Sequence, residues 1–222
     1  MTILNPKRPA ENMTKRTREL RDFVEALART PATPHSVNHY SYEREGNNVR
    51  RKNLTAYLTA LYEIAPQVLL VGEAPGYRGA RRSGVPFSSE RILATHPFFT
   101  SRGGFAVESA DAPCAESSAS IVWKTMDELE FYPLIWASFP FHPHKPQDEN
   151  SNRAPTAEEI ALGQPFIRSL MNIFAIRDVV AVGRAAERTL SLLSIDATPV
   201  RHPSHGGATL FREGLRRFVR AL

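Results

Sequence analysis

Gln67-Val68-Leu69-Leu70-Val71 runs without a polar break into Gly72-Glu73-Ala74-Pro75-Gly76. A short, continuous apolar run shows no polar face to water. It therefore reads as a strand covered on both sides, the habit of parallel sheets. The glycines and proline behind it open a tight turn with close backbone access. Apolar runs of this kind recur down the chain. Tyr132 to Phe139 leads into Pro140-Phe141-His142-Pro143-His144. Asp178 to Gly183 leads into a helical stretch from Arg184 to Leu193. Thr198 to Arg201, the shortest run, leads into His202-Pro203-Ser204-His205-Gly206-Gly207.

Helical patterns separate these strands. Leu20, Phe23, Val24 and Leu27 recur at helical spacing until Pro31, and Leu54, Leu58 and Leu61 do the same over 54–64. Thr156 with Glu159 forms a capping-box pattern ahead of Ile160, Phe166, Ile167 and Leu170. Leu210 to Leu222 reads as a basic amphipathic helix. Residues 31–53, with Pro34, Gly46, Asn47 and Asn48, read as loop, and so do 144–155. Strands alternating with helices predict an α/β domain whose mainly parallel sheet is covered on both faces. Residues 1–19, rich in Lys and Arg, read as a poorly ordered basic arm, and 20–222 as a single domain.

Composition narrows the class. The 222 residues are 42% apolar and 23% charged, so wholesale disorder is excluded. One cysteine, Cys114, excludes an internal disulfide, a Cys-rich zinc site and a Cys-ligated iron–sulfur cluster. No apolar run is long enough to span a membrane, and the N-terminus has no apolar signal core. The expectation is a cytoplasmic protein with no membrane partner. Of 28 basic residues, 23 are arginine, the net charge is +5 and the pI about 9.6. A basic, Arg-weighted surface points to a polyanion, nucleic acid first.

Open α/β sheets bind ligands at the carboxyl ends of their strands. The loop from Gly72 to Ser89 carries Arg78, Arg81 and Arg82, which suit phosphate. It is neither a P-loop nor a dinucleotide fingerprint, because Gly-Lys-Ser/Thr and Gly-x-Gly-x-x-Gly are both absent. His142 and His144 are loop histidines between prolines, or a metal pair if the segment is extended. In the last loop His202 is a candidate acid or hydrogen-bond donor, and Ser204 can bond a phosphate.

Three of these segments, in order, resemble the uracil-DNA glycosylase superfamily. They are Gly72-Glu73-Ala74-Pro75-Gly76, Gly84-Val85-Pro86-Phe87-Ser88 and His202-Pro203-Ser204, and the resemblance covers roughly residues 65–222. It implies a three-layer α/β/α sandwich with a short, mainly parallel central sheet. It implies a DNA repair enzyme that flips uracil from DNA, hydrolyses its N-glycosidic bond and leaves an abasic site, without cofactor or metal and as a monomer. Gly72, Ala74, Pro75 and Gly76 would then face the base, Phe87 would stack on it, and His202 would hydrogen-bond its O2. Ser88 and Ser204 would grip phosphates, while the Gly206-Gly207 segment, or His205, would enter the space the base vacates. Arg78, Arg81, Arg82, Arg201 and Arg212 would meet the backbone.

The chain departs from the best-known branch at defined positions. Ala74 stands where an aspartate orients water, and Gly76 where a tyrosine bars 5-methyl uracil. This leaves two routes to the water: Glu73, or a mostly dissociative reaction. The second strand lacks the asparagine that reads the uracil edge; Ser138 and Asn152, or Asn150, are the replacements expected. A divergent branch without an iron–sulfur cluster is implied. Two other readings stand beside it. One is a non-catalytic module that binds uracil-DNA or single-stranded DNA. The other is a metal-dependent hydrolase using His142, His144, His202 and His205.

Overall fold

The computed structural model describes residues 10–222. Helix α1 (Ala10–Arg29) comes first, followed by a two-residue strand β1 (Ser36–Val37) and helix α2 (Asn47–Ile64). Strand β2 (Val68–Gly72) leads to three short helices, α3 (Ala80–Ser83), α4 (Glu90–Thr95) and α5 (Pro97–Thr100), and to α6 (Ser117–Glu128). Strands β3 (Leu134–Ala137) and β4 (His142–Pro143) precede α7 (Ala157–Phe174). The chain closes with β5 (Asp178–Val182), α8 (Arg184–Leu192), β6 (Thr198–Val200) and α9 (Ala208–Ala221).

The apolar runs find each other. β3, β2, β5 and β6 lie in that order in one parallel sheet, with Leu70 opposite Ile135 on one side and Val180 on the other. Leu69, Leu70 and Val71 are fully buried, as a strand with neighbours on both edges and both faces must be. The outermost β6 contains Pro199, tolerated because an edge strand leaves one side of its ladder free. β1 pairs antiparallel with β4 in a separate two-residue ladder.

Helices flank the sheet. The α1 stripe Leu20, Phe23, Val24 and Leu27 is buried, and the Phe23 ring meets Trp136 of β3 and Phe166 of α7 edge-on at 5.3 and 5.8 Å. Each such side chain taken from water stabilises the fold by about 1.5–3 kcal/mol. α8 packs on β5 and β2, and α9 on β6. At Gly163 a Cβ would stand 1.9 Å from the Ser138 carbonyl oxygen, so only glycine lets α7 approach the end of β3.

Three expectations change. Residues 10–19 belong to α1 rather than to an arm, with Arg16 pairing to Glu19 at 2.9 Å one turn on; residues 1–9 lie outside the described residues. α2 starts at Asn47, not Leu54. Asn47 and Asn53 look like loop residues but are buried and bonded: Asn47 donates to the Ser41 carbonyl, and Asn53 to those of Ser83 and Ala106. β3 covers only the middle of the run from Tyr132 to Phe139.

Candidate active site

Because the sheet is parallel, the carboxyl ends of its strands share one rim. The loop after β2 is pinned there from the β3 side. Ser138 N–H donates to the Gly72 carbonyl at 2.9 Å, and Phe139 N–H to that of Glu73 at 3.0 Å. The buried His142 ring holds Pro75, its Nδ1 lying 2.8 Å from the Pro75 carbonyl oxygen. Its Nε2 is 3.1 Å from the Glu149 carbonyl, and burial lowers its pKa.

Phe87 sits at φ +46°, a left-handed conformation unusual for a bulky residue and typical of strained functional positions. It is held there by the Trp123 indole N–H, which donates to its carbonyl at 3.0 Å. Its ring lies over Gly72, and 5.9 Å away is the His202 ring, tilted by 39°. His202 enters from the loop after β6, passing Gly183, where φ is +86° and a Cβ would stand 3.1 Å from the His202 Cβ.

The His202 ring has a defined polarity. Ser204 N–H donates to Nδ1 at 3.2 Å, and the Ser204 hydroxyl lies 2.7 Å from the same nitrogen. A neutral ring accepting at Nδ1 carries its proton on Nε2. Burial, helped by the charges of Arg201 and His205, lowers the His202 pKa and keeps it neutral at pH 7.

Phe87 and His202 share a cavity of about 250 Å³, below the roughly 300–1,000 Å³ of pockets for drug-sized ligands. Glu73, Ala74, Pro75 and Gly76 line one side and Ala137 the sheet end. Asn152 and Arg153 come from the 144–155 loop, and Ser204 and His205 from the last loop. Glu116 and Ser118, at the start of α6, complete the wall. Burial pushes the Glu73 carboxyl up, against the pull of the Arg188 guanidinium. Burial alone pushes Glu116 up to about 7.

Several candidate residues lie elsewhere. Ser138 is buried, and its hydroxyl donates to the Gly72 carbonyl at 2.9 Å; Ala137 is the strand-end residue that faces the cavity. Ser88 is fully buried, donating to the Val85 carbonyl at 2.8 Å, and cannot meet a phosphate. Arg81 and Arg82 are committed to Glu149 and Glu90, each at 2.9 Å. Arg212 is half-buried, with Nε enclosed. The Ser204 hydroxyl is turned onto His202 rather than outward. Arg78 and Arg201 are exposed, as are His205 and Gly206, which form a loop tip at the cavity lip with φ of +50° and +73°. His142 has both nitrogens on carbonyls, and among the described residues no three His, Cys, Asp or Glu side chains gather to hold a metal.

Glu116, Ser118, Ala137 and Arg153 were not foreseen. A signal for the first two exists: Ala119, Val122, Trp123 and Met126 recur at helical spacing just behind them. Arg153 is a wall-former, bidentate on Glu159 at 2.7 Å.

Comparison with known proteins identifies the fold and the family. The crystal structure of wild-type SMUG2 from Pedobacter heparinus is similar in fold, with a TM-score of 0.65 over 93% of this chain and 96% of that one, at 15% identity. No curated protein matches. A family model described as the uracil DNA glycosylase superfamily matches residues 59–221, from the end of α2 to the end of α9. That span contains every loop that meets Phe87 and His202, and the chain belongs to the uracil DNA glycosylase superfamily.

Proposed function

We propose that the protein removes uracil from DNA by hydrolysing the bond between N1 of the base and C1′ of deoxyribose. The observation that carries this reading is the shared cavity of Phe87 and His202. A planar ring resting on Phe87 brings its edge to the imidazole. A base inside a duplex cannot reach such a site, so it is extruded first, at a cost of a few kcal/mol.

The chemistry follows from charge. As the N1–C1′ bond breaks, its electron pair leaves with the base and the sugar becomes cationic. His202 donates from Nε2–H to O2, where negative charge collects, and a donor of this kind is worth about 3 kcal/mol. A neutral donor suits the task, because it lends a hydrogen bond without having to transfer a proton. Glu73, which burial raises and the Arg188 guanidinium pulls back down, orients the water. The water oxygen bonds to C1′, and its proton balances the departing base.

Arg78 and Arg201 are the exposed cations beside the cavity loops that suit the DNA backbone. The loop tip His205-Gly206 is the segment that fills the space the base leaves. In this reading the chain acts as a monomer.

The test is a labelled strand with one uracil, incubated with the protein in EDTA and then treated with alkali. Cleavage at uracil supports the enzyme. Retention on a gel without cleavage would instead make the protein a binding module. Activity abolished by chelator and restored by zinc would favour a metal-dependent hydrolase.

A further inference from the structure

The geometry points to Glu116 as the residue that, with Asn152, reads the hydrogen-bonding edge of the base. This rests on the glycosylase reading above and names the specificity device of the same cavity. Ala137 leaves the end of β3 without a polar side chain, so another element must supply the contact.

Glu116 caps α6 in an extended conformation, yet its side chain makes no bond to the helix. The carboxyl lies against the floor of the cavity instead. A Cβ on Gly79 would stand 1.7 Å from its Oε2, and one on Gly76 would stand 2.8 Å from Oε1. The two glycines make room for this group, with Asn152 Oδ1 at the edge of the space beside Gly76. The Glu116 carboxyl forms no ion pair or side-chain hydrogen bond with the described residues, burial being the one influence on it, so both oxygens remain free for a ligand. Beside it, Asn152 Oδ1 accepts from Tyr77 N–H at 3.0 Å. That bond fixes the amide and leaves Nδ2 as a donor.

A donor of fixed identity next to an acceptor matches uracil, which offers the O4 carbonyl beside N3–H. Cytosine offers an amino group and a bare ring nitrogen there, the reverse pattern. A site built for one polar edge rejects the other strongly. The protonated carboxyl is the form that works best. It accepts through its carbonyl oxygen, whereas an ionised carboxylate would repel the anionic leaving base. The other titratable or charged groups on the cavity wall are Glu73, Arg153, His202 and His205, and Arg153 is committed to Glu159.

Glu116→Gln supplies the same acceptor without the charge, and Glu116→Ala removes it. Single-turnover excision of uracil should fall about tenfold to a hundredfold in Glu116→Ala. Glu116→Gln should stay within about threefold of wild type below pH 7 and abolish the decline of the wild-type rate above it. An unchanged Glu116→Ala would overturn the inference. So would a hundredfold loss in Glu116→Gln with a wild-type rate rising through pH 7, the signature of a general base. Should wild type excise nothing, the glycosylase reading fails separately. Titration with free uracil, followed by NMR, then decides for Glu116: weaker binding in Glu116→Ala but not Glu116→Gln supports it, and equal binding in all three overturns it.

Discussion

The Phe87 ring rests directly on the backbone of Gly72: a Cβ there would stand 2.2 Å from Cε2 and 2.6 Å from Cζ. The strand end and the aromatic platform are therefore one unit. Gly72→Ala should lift the ring and lower uracil excision by about a hundredfold, the usual result of displacing a positioning group by an ångström. The melting temperature should move by only a few degrees. An active Gly72→Ala protein would mean that Phe87 is not the platform.

His202→Ala should lower turnover by about 10²–10³ while DNA affinity stays within about threefold. Ser204→Ala removes the hydroxyl but keeps the backbone N–H on Nδ1, so it should produce a smaller loss of the same kind. Comparing single-turnover rates with gel-shift affinities separates the two quantities. Equal loss of both would make His202 a DNA contact instead of a leaving-group stabiliser.

Affinity for DNA should depend on salt. With the two phosphate contacts of Arg78 and Arg201, counterion release gives roughly a tenfold weakening between about 50 and 200 mM salt. Arg78→Ala and Arg201→Ala should each reduce the slope of log affinity against log salt by about one. Fluorescence anisotropy measures this directly, and a flat salt response would remove the exposed arginines from the interface.

Acid should loosen the cavity wall. Glu159 is buried, paired with Arg153, and also accepts from Thr33 and the Thr156 N–H. Burial alone would raise its pKa, but these partners outweigh burial and hold it below the ordinary glutamate value. A carboxyl depressed in the folded state adds stability above its unfolded pKa of about 4.3, and that stability is lost as pH falls through the folded value. Glu159→Gln should cost about 1–3 kcal/mol at pH 7, because Arg153 loses its counter-charge and keeps only carbonyl acceptors, and should flatten the acid limb of a urea-melt series. An acid limb identical to wild type would assign it to other carboxylates.

The central strands were legible because strands covered on both faces must be continuously apolar, as Val68 to Val71 and Val179 to Val182 are. β1 and β4 were not, since two residues carry no period. The start of α2 was hidden because Asn47 and Asn53 spend their polarity inside, on carbonyls remote in sequence. Phe87 and His202 could be found from local motifs. The base-edge position could not: successive strand residues face opposite sides, so a one-residue difference turns Ala137 to the cavity and Ser138 to the Gly72 carbonyl. The helical pattern behind Glu116 places it at a helix start but not in the cavity. Its role arises from contact with Gly76 and Gly79, more than thirty residues away, and no local pattern encodes that approach.

A crystal structure of the protein soaked with free uracil tests the cavity most directly. The ring should lie on Phe87, with O2 within about 3 Å of His202 Nε2 and the opposite edge toward Glu116 and Asn152. Uracil bound away from the Phe87 face, or a cavity that stays empty at saturating ligand while the base occupies another site, would contradict the assignment.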